Sequence, residues 1–181
     1  MTPAAKSYFA ALLTCLHLAN PNGSWAKATL SEEEQVLWQA TQADAKETND
    51  KYMGRLLALR GNLIGLELLI AEKTNAYIGS RWGHSMLRFI DGDNDPLNDL
   101  VLGFVAEVDT PSLSLSKGLS GGYPVIPLVQ PLRLFIASYV RDEGRPLERH
   151  IFPTSEGDRN EVIDTLAAWI AAPTDPNTLG R

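Results

Sequence analysis

Gly83-His84-Ser85 is the point in this sequence where residue types and spacing best fit acid–base chemistry. A glycine lets the backbone turn sharply, so the histidine after it is held where a loop enters a strand. An imidazole that is fixed there and reachable can take and return a proton near neutral pH, which makes His84 the candidate catalytic residue. A lone histidine beside a strand also serves as a hydrogen-bonded structural residue, and both readings stand. Ser85 adjoins His84, and strand neighbours point to opposite faces, so no direct Ser–His couple is expected. Arg88 lies four residues on, on the same face as His84 in a regular strand. It is placed to hold an anionic head group or a substrate carboxylate, the alternative being a salt bridge within the protein.

Three further groupings invite chemistry. Asp91, Asp93 and Asp95 have the alternation of a calcium loop, but Pro96 stands where such a loop needs glycine and Leu102 where it needs glutamate. The stretch Lys117-Gly118-Leu119-Ser120-Gly121-Gly122-Tyr123 lacks the Gly-Lys-Ser/Thr ending of a phosphate loop. Gly121, Gly122 and Tyr123 are instead candidate substrate-binding residues, because glycines let the backbone approach a bound chain closely. His150 has no companions at zinc-ligand spacing and reads as structural. No metal and no cofactor is expected.

The elements that must position these residues follow from pattern. Ser31 with Glu34 has the form of a capping box opening a polar helix that runs to about Lys51. Leu66–Ala71, Ser85–Ile90, Val101–Val108 and Leu147–Phe152 read as strands. The acidic stretch from Asp91 to Pro96 reads as a turn, and Pro127 and Pro131 frame an apolar segment reaching Tyr139. Ser155 with Asp158 starts a last helix whose apolar face is Val162, Ile163, Leu166, Trp169 and Ile170; Pro173 and Pro176 end it. Strands in the middle and helices at the ends predict an α+β domain with a small sheet and flanking helices.

Composition narrows the function classes. Of 181 residues, 44% are hydrophobic and 21% charged, which fits a globular chain with a real core. The net charge of -6 without a basic run argues against nucleic acid as a partner. Lys6, an apolar run from Tyr8 to Leu16 and the Ala26-Lys27-Ala28 exit have the order of a secretory signal over residues 1–28. The expectation is export from the cytoplasm, which the family resemblance below makes export to the periplasm, with residues 29–65 forming a helical segment and 66–181 the main domain. The apolar runs are shorter than the roughly 20 residues of a spanning helix, so the protein is expected near a membrane but not across it. Cys15, the only cysteine, falls inside the signal, leaving no thiol after it.

Arg81-Trp82-Gly83-His84-Ser85-Met86-Leu87-Arg88-Phe89 resembles the "GHS, two residues, R" signature of the Lnb N-terminal periplasmic domain family. The Lys117–Tyr123 stretch resembles that family's second motif, and Tyr139, Glu143, Arg145 and Leu147 its third, in the same order across residues 66 to 181. The resemblance implies a permuted papain-like (NlpC/P60-like) fold with the histidine before the cysteine. It also implies thiol acyltransferase or amidase-like chemistry with His84 as the base, and a lipoprotein, lipid or peptide as partner. It places the cysteine in an Asn-Cys element after the last helix, and the sequence reaches Leu179-Gly180-Arg181 about where the strand leading into that element would begin, so the domain is expected to be incomplete at its C-terminus. The expectation is therefore a domain contributing the histidine but not the nucleophile, with a non-catalytic lipid- or peptide-binding module as the alternative. A strand missing beside Leu66 to Phe89 is expected to leave an open sheet edge there.

Overall fold

The computed structural model describes residues 32–74, 83–93, 95–106 and 122–171. The expected signal at 1–28, the expected Ser31 cap, Gly121 and the two final prolines lie outside these residues. The chain divides into two compact units, Met1–Thr48 with Ala106–Val125, and Asn49–Val105 with Ile126–Arg181. In the first, residues 32–48 are helical and mostly exposed.

The second unit is built on a five-stranded sheet of order β4-β3-β2-β1-β5. Its strands are β1 (Gly65–Ala71), β2 (His84–Ile90), β3 (Leu100–Ala106), β4 (Val125–Pro131) and β5 (Leu147–Phe152). β1 pairs antiparallel with β2 and β5, and β2 with β3. Helix α1 (Glu32–Leu57) precedes the sheet, helix α2 (Leu132–Phe135) follows β4, and α3 (Glu156–Ala171) closes the order. This is an α+β architecture. β1 and β2 are interior strands flanked by β5 and β3, so the expected opening beside Leu66 to Phe89 is not found; among the described residues the sheet's outer strands are β4 and β5.

Register assigns the side chains to two faces. Leu66 stands opposite Phe89 and Leu68 opposite Leu87, while Glu67 faces Arg88, Leu69 Met86, and Ala71 His84. The Leu66 face packs against Met53 and Leu56 of α1, Leu63, and Ile163 of α3, together with Leu100, Leu102 and Val129. Buried Leu69, Met86 and Val101 show that the opposite face is covered too. A strand buried on both sides needs apolar residues at successive positions, which is why 66–71 reads as a continuous run.

Two polar devices set the ends of these elements. At α3, the Asp158 amide donates to Ser155 Oγ (3.2 Å) and the Ser155 amide to Asp158 Oδ2 (2.7 Å). That is the expected capping box, with aspartate in the reaching position. At β4, Asn49 Nδ2 donates to the Pro127 carbonyl (3.0 Å), and the Val129 amide donates to Asn49 Oδ1 (2.8 Å). One amide side chain thus satisfies two backbone groups of an edge strand. Asn49→Ala is expected to lower stability by about 1–3 kcal/mol, the range for orphaning buried polar groups, as read by denaturant unfolding.

Candidate histidine site

Gly83 has φ +75°, in the left-handed region, and a Cβ there would lie 3.1 Å from the Ala71 carbonyl oxygen. Glycine is therefore required on both counts. It delivers the chain into β2 at His84, the first residue of the strand, opposite Ala71. Ser85 is exposed on the other face, opposite Ile70.

The His84 ring is half-buried, and its Nε2 is enclosed without a hydrogen-bond partner among the described residues. What remains accessible of this residue lies away from Nε2. Gly103 of β3 sits against that nitrogen: a Cβ at this glycine would meet Nε2 at 3.1 Å, Met86 Cγ at 3.4 Å and Phe135 Cε1 at 3.7 Å. Any side chain at 103 would press on the imidazole.

Over the ring lies Tyr139. It comes from a π-helical segment, Ile136–Asp142, that continues α2. Single π turns are rare and cluster at functional sites, because the extra residue per turn re-aims a side chain. Tyr139 stacks on His84 with ring centroids 5.8 Å apart and planes 24° apart, and on Phe135 at 6.1 Å and 5°. The segment ends through Gly144 at φ +64°, with the Arg145 amide donating back to the Tyr139 carbonyl at 2.8 Å. This turn sets the Arg145 guanidinium carbon 4.9 Å from the Tyr139 ring centroid. Arg145 is buried, donating from Nε to the Glu72 carbonyl (2.5 Å), from Nη2 to the Ala71 carbonyl (3.1 Å) and from Nη1 to Glu143 Oε2 (2.9 Å).

The electrostatics follow from this packing. Burial first, then the Arg145 cation, lowers the His84 pKa, while Glu143 pulls it back. The imidazole is neutral at neutral pH. Tyr139 is pushed up to about 12, first by burial and then by Glu143, so its phenol stays protonated.

Arg88 shares the His84 face, as its spacing predicts, but is turned into the interior rather than held open to a ligand. Arg88, Glu67 and Asp99 are 5%, 2% and 2% exposed. Arg88 donates from Nη1 to Glu67 Oε2 (2.8 Å), from Nε to Asp99 Oδ2 (2.9 Å) and from Nη2 to Asp99 as well. Arg149 of β5 donates from Nε to Glu67 Oε2 (3.1 Å) and from Nη2 to Glu67 Oε1. The hydrogen bond from Arg149 and the Arg88 charge lower the Glu67 pKa, whereas burial raises that of Asp99. The geometry found is the intramolecular ion pair, extended into a network.

Gly122 is exposed and Tyr123 half-buried, and both belong to the first compact unit. Carboxylate oxygens of Asp91, Asp93 and Asp99 lie within 4.8 Å of one another. Asp91 accepts from the Asp93 amide (3.1 Å) and Asp93 from the Asp95 amide (2.9 Å), as in Asx turns, while Asp99 is committed to Arg88. His150 stands exposed on β5, 3.5 Å from Glu148. The residues whose roles the sequence did not disclose are Glu67, Asp99, Tyr139 and Arg145. For Glu67 a signal existed: a carboxylate in the middle of an apolar strand is buried with a partner or not at all.

The class defined so far is an α+β domain with a buried-edge histidine at the mouth of an interior strand. Residues 62–169, more than half of the chain, match the Lnb N-terminal periplasmic domain family, and the protein belongs to it. Comparison with curated proteins and with solved structures gives no match. Among the described residues, no helix is long and apolar enough to cross a membrane.

Proposed function

We propose that this domain supplies the histidine of a thiol-dependent acyl-transfer or amidase-like site in the periplasm, reached by way of the signal at residues 1–28. The observation that carries the reading is His84: a neutral imidazole, fixed by Gly83 and Tyr139, whose Nε2 has no partner among the described residues. A neutral imidazole is the form that accepts a proton from a thiol. Within these 181 residues Cys15 is the only cysteine and falls in the proposed signal, so the thiol of this site is one that residues 29–181 do not carry. Its S–H proton passes to the imidazole, and the thiolate attacks the acyl carbonyl. The acyl C–O or C–N bond breaks, and the imidazolium returns the proton to the leaving group. Nε2 must first be uncovered for it to serve as the accepting atom.

The second reading, a non-catalytic module that binds a lipid or peptide, is favoured by the enclosure of Nε2. One assay separates the two. The full chain is mixed with an acyl p-nitrophenyl ester and a small thiol, and formation of the acyl thioester is followed. The base reading expects His84→Ala to be about 100- to 10,000-fold slower than the wild type, the usual contribution of a positioned base. Equal rates for the two proteins would remove His84 as the base and leave the binding reading.

A further inference from the structure

We propose that Arg145 is a positioning residue for His84, setting the plane of the imidazole and the sign of the field around it through the Tyr139 ring they share. The guanidinium is pinned by two main-chain carbonyls, Ala71 at 3.1 Å and Glu72 at 2.5 Å. Ala71 is the register partner of His84, so the cation is tied to the strand position directly opposite the imidazole. Its own backbone amide bonds to the carbonyl of Tyr139, and its side chain lies over the Tyr139 ring. Tyr139 in turn stacks on His84. Displacing Arg145 therefore releases the aromatic ring that holds the imidazole and removes a positive charge that acts on it in one step.

Arginine suits this place because its planar fork reaches both carbonyls and the Glu143 carboxylate together, which an ammonium on a single stem does not. The charged and titratable groups acting on His84 are Arg145 and Glu143 in the turn after the π-helical segment; Tyr139 from that segment is the titratable group stacked on it. Buried cation and buried ring discourage imidazolium formation together. The folded protein thus takes up fewer protons than the unfolded chain between the lowered His84 pKa and its ordinary value. Stability is undiminished above that window and falls as the pH drops through it.

The catalytic meaning of this arrangement rests on the base reading of His84, but the physical claim does not. The test is an NMR pH titration of the His84 imidazole in the full chain. Arg145→Gln is expected to move its midpoint upward, toward the ordinary histidine value, and to shrink the acid-side stability loss. Arg145→Lys is expected to keep the midpoint low while losing the ring-current shift that Tyr139 imposes, a split that a purely structural role would not produce. An unchanged His84 midpoint in folded Arg145→Gln overturns the proposal. If that variant does not fold, Glu143→Gln decides. Removing the opposing carboxylate should move the midpoint further down, and an unchanged or raised midpoint overturns the proposal. A midpoint that responds as expected, alongside a His84→Ala variant that transfers acyl groups at the wild-type rate, keeps the positioning role and removes the base.

Discussion

Arg88→Met is expected to destabilise the protein by about 3–5 kcal/mol, because it leaves Asp99 in the interior without its arginine and Glu67 with Arg149 alone. The loss comes from the orphaned charge and not from the value of the pair itself, which desolvation largely offsets. Two further measurements follow. Asp99→Asn added to Arg88→Met should restore part of the stability, since it removes the stranded charge, Glu67 keeping its pair with Arg149. The deficit should also shrink toward acid pH, where carboxylates without a counter-charge protonate inside the fold. The wild type has the opposite tendency at Glu67. Its lowered pKa gives a contribution fully present above the unfolded value and lost as the pH falls through the folded one. Unfolding by denaturant at neutral and mildly acid pH reads all of this. A deficit under about 1 kcal/mol would mean that the network behaves like an exposed pair.

The second large effect is at Leu56, which is fully buried against the sheet at the end of α1. Leu56→Ala is expected to cost about 2–5 kcal/mol, the range for truncating a core leucine into a cavity. The family match begins at residue 62, after α1 has ended at Leu57. A chain trimmed to begin there loses Met53 and Leu56 from the core and the Asn49 clamp from β4. It should unfold at markedly lower denaturant than the full chain. An unchanged midpoint for either protein would mean that the last turns of α1 are not part of the cooperative unit.

These residues also mark where sequence reading succeeds and where it stops. β1, β2 and β5 lie within one residue of their expected ends, because turn formers bracket short apolar runs. The start of α3 was legible in Ser155 and Asp158, a local device that needs no knowledge of the rest of the chain. The segment between Pro127 and Tyr139 was not divisible. Apolar residues fill both strand and helix there, and the switch from β4 to α2 at Pro131 and Leu132 leaves no change of period to detect. The end of α1 was obscured for a related reason. Its last turns carry the core residues Met53 and Leu56, while the described side chains before Asn49 are mostly exposed, so the apolar pattern does not mark where the helix stops.

At the site, the glycine turn and the shared face of His84 and Arg88 were readable from spacing alone. The direction in which Arg88 spends its charge was not. It depends on Glu67, 21 positions away in sequence, and on Asp99, 11 positions away. Likewise Tyr139 and Arg145 were visible as a spaced pair, but the stack on His84 depends on the π-helical segment bringing Tyr139 to the first residue of β2. Long-range side-chain partnerships leave no periodic trace.

The π-helical segment has a consequence for how this chain tolerates length changes. Successive residues on a helix differ by about 100° in azimuth, so one residue more or fewer swings everything downstream to another side. Excising a single position between Ile136 and Tyr139 would let the coil relax to ordinary winding while carrying the phenol off the imidazole. The aim of that ring is thus written in the count of residues, a property that substitution by similar side chains would leave untouched and a one-codon deletion would erase.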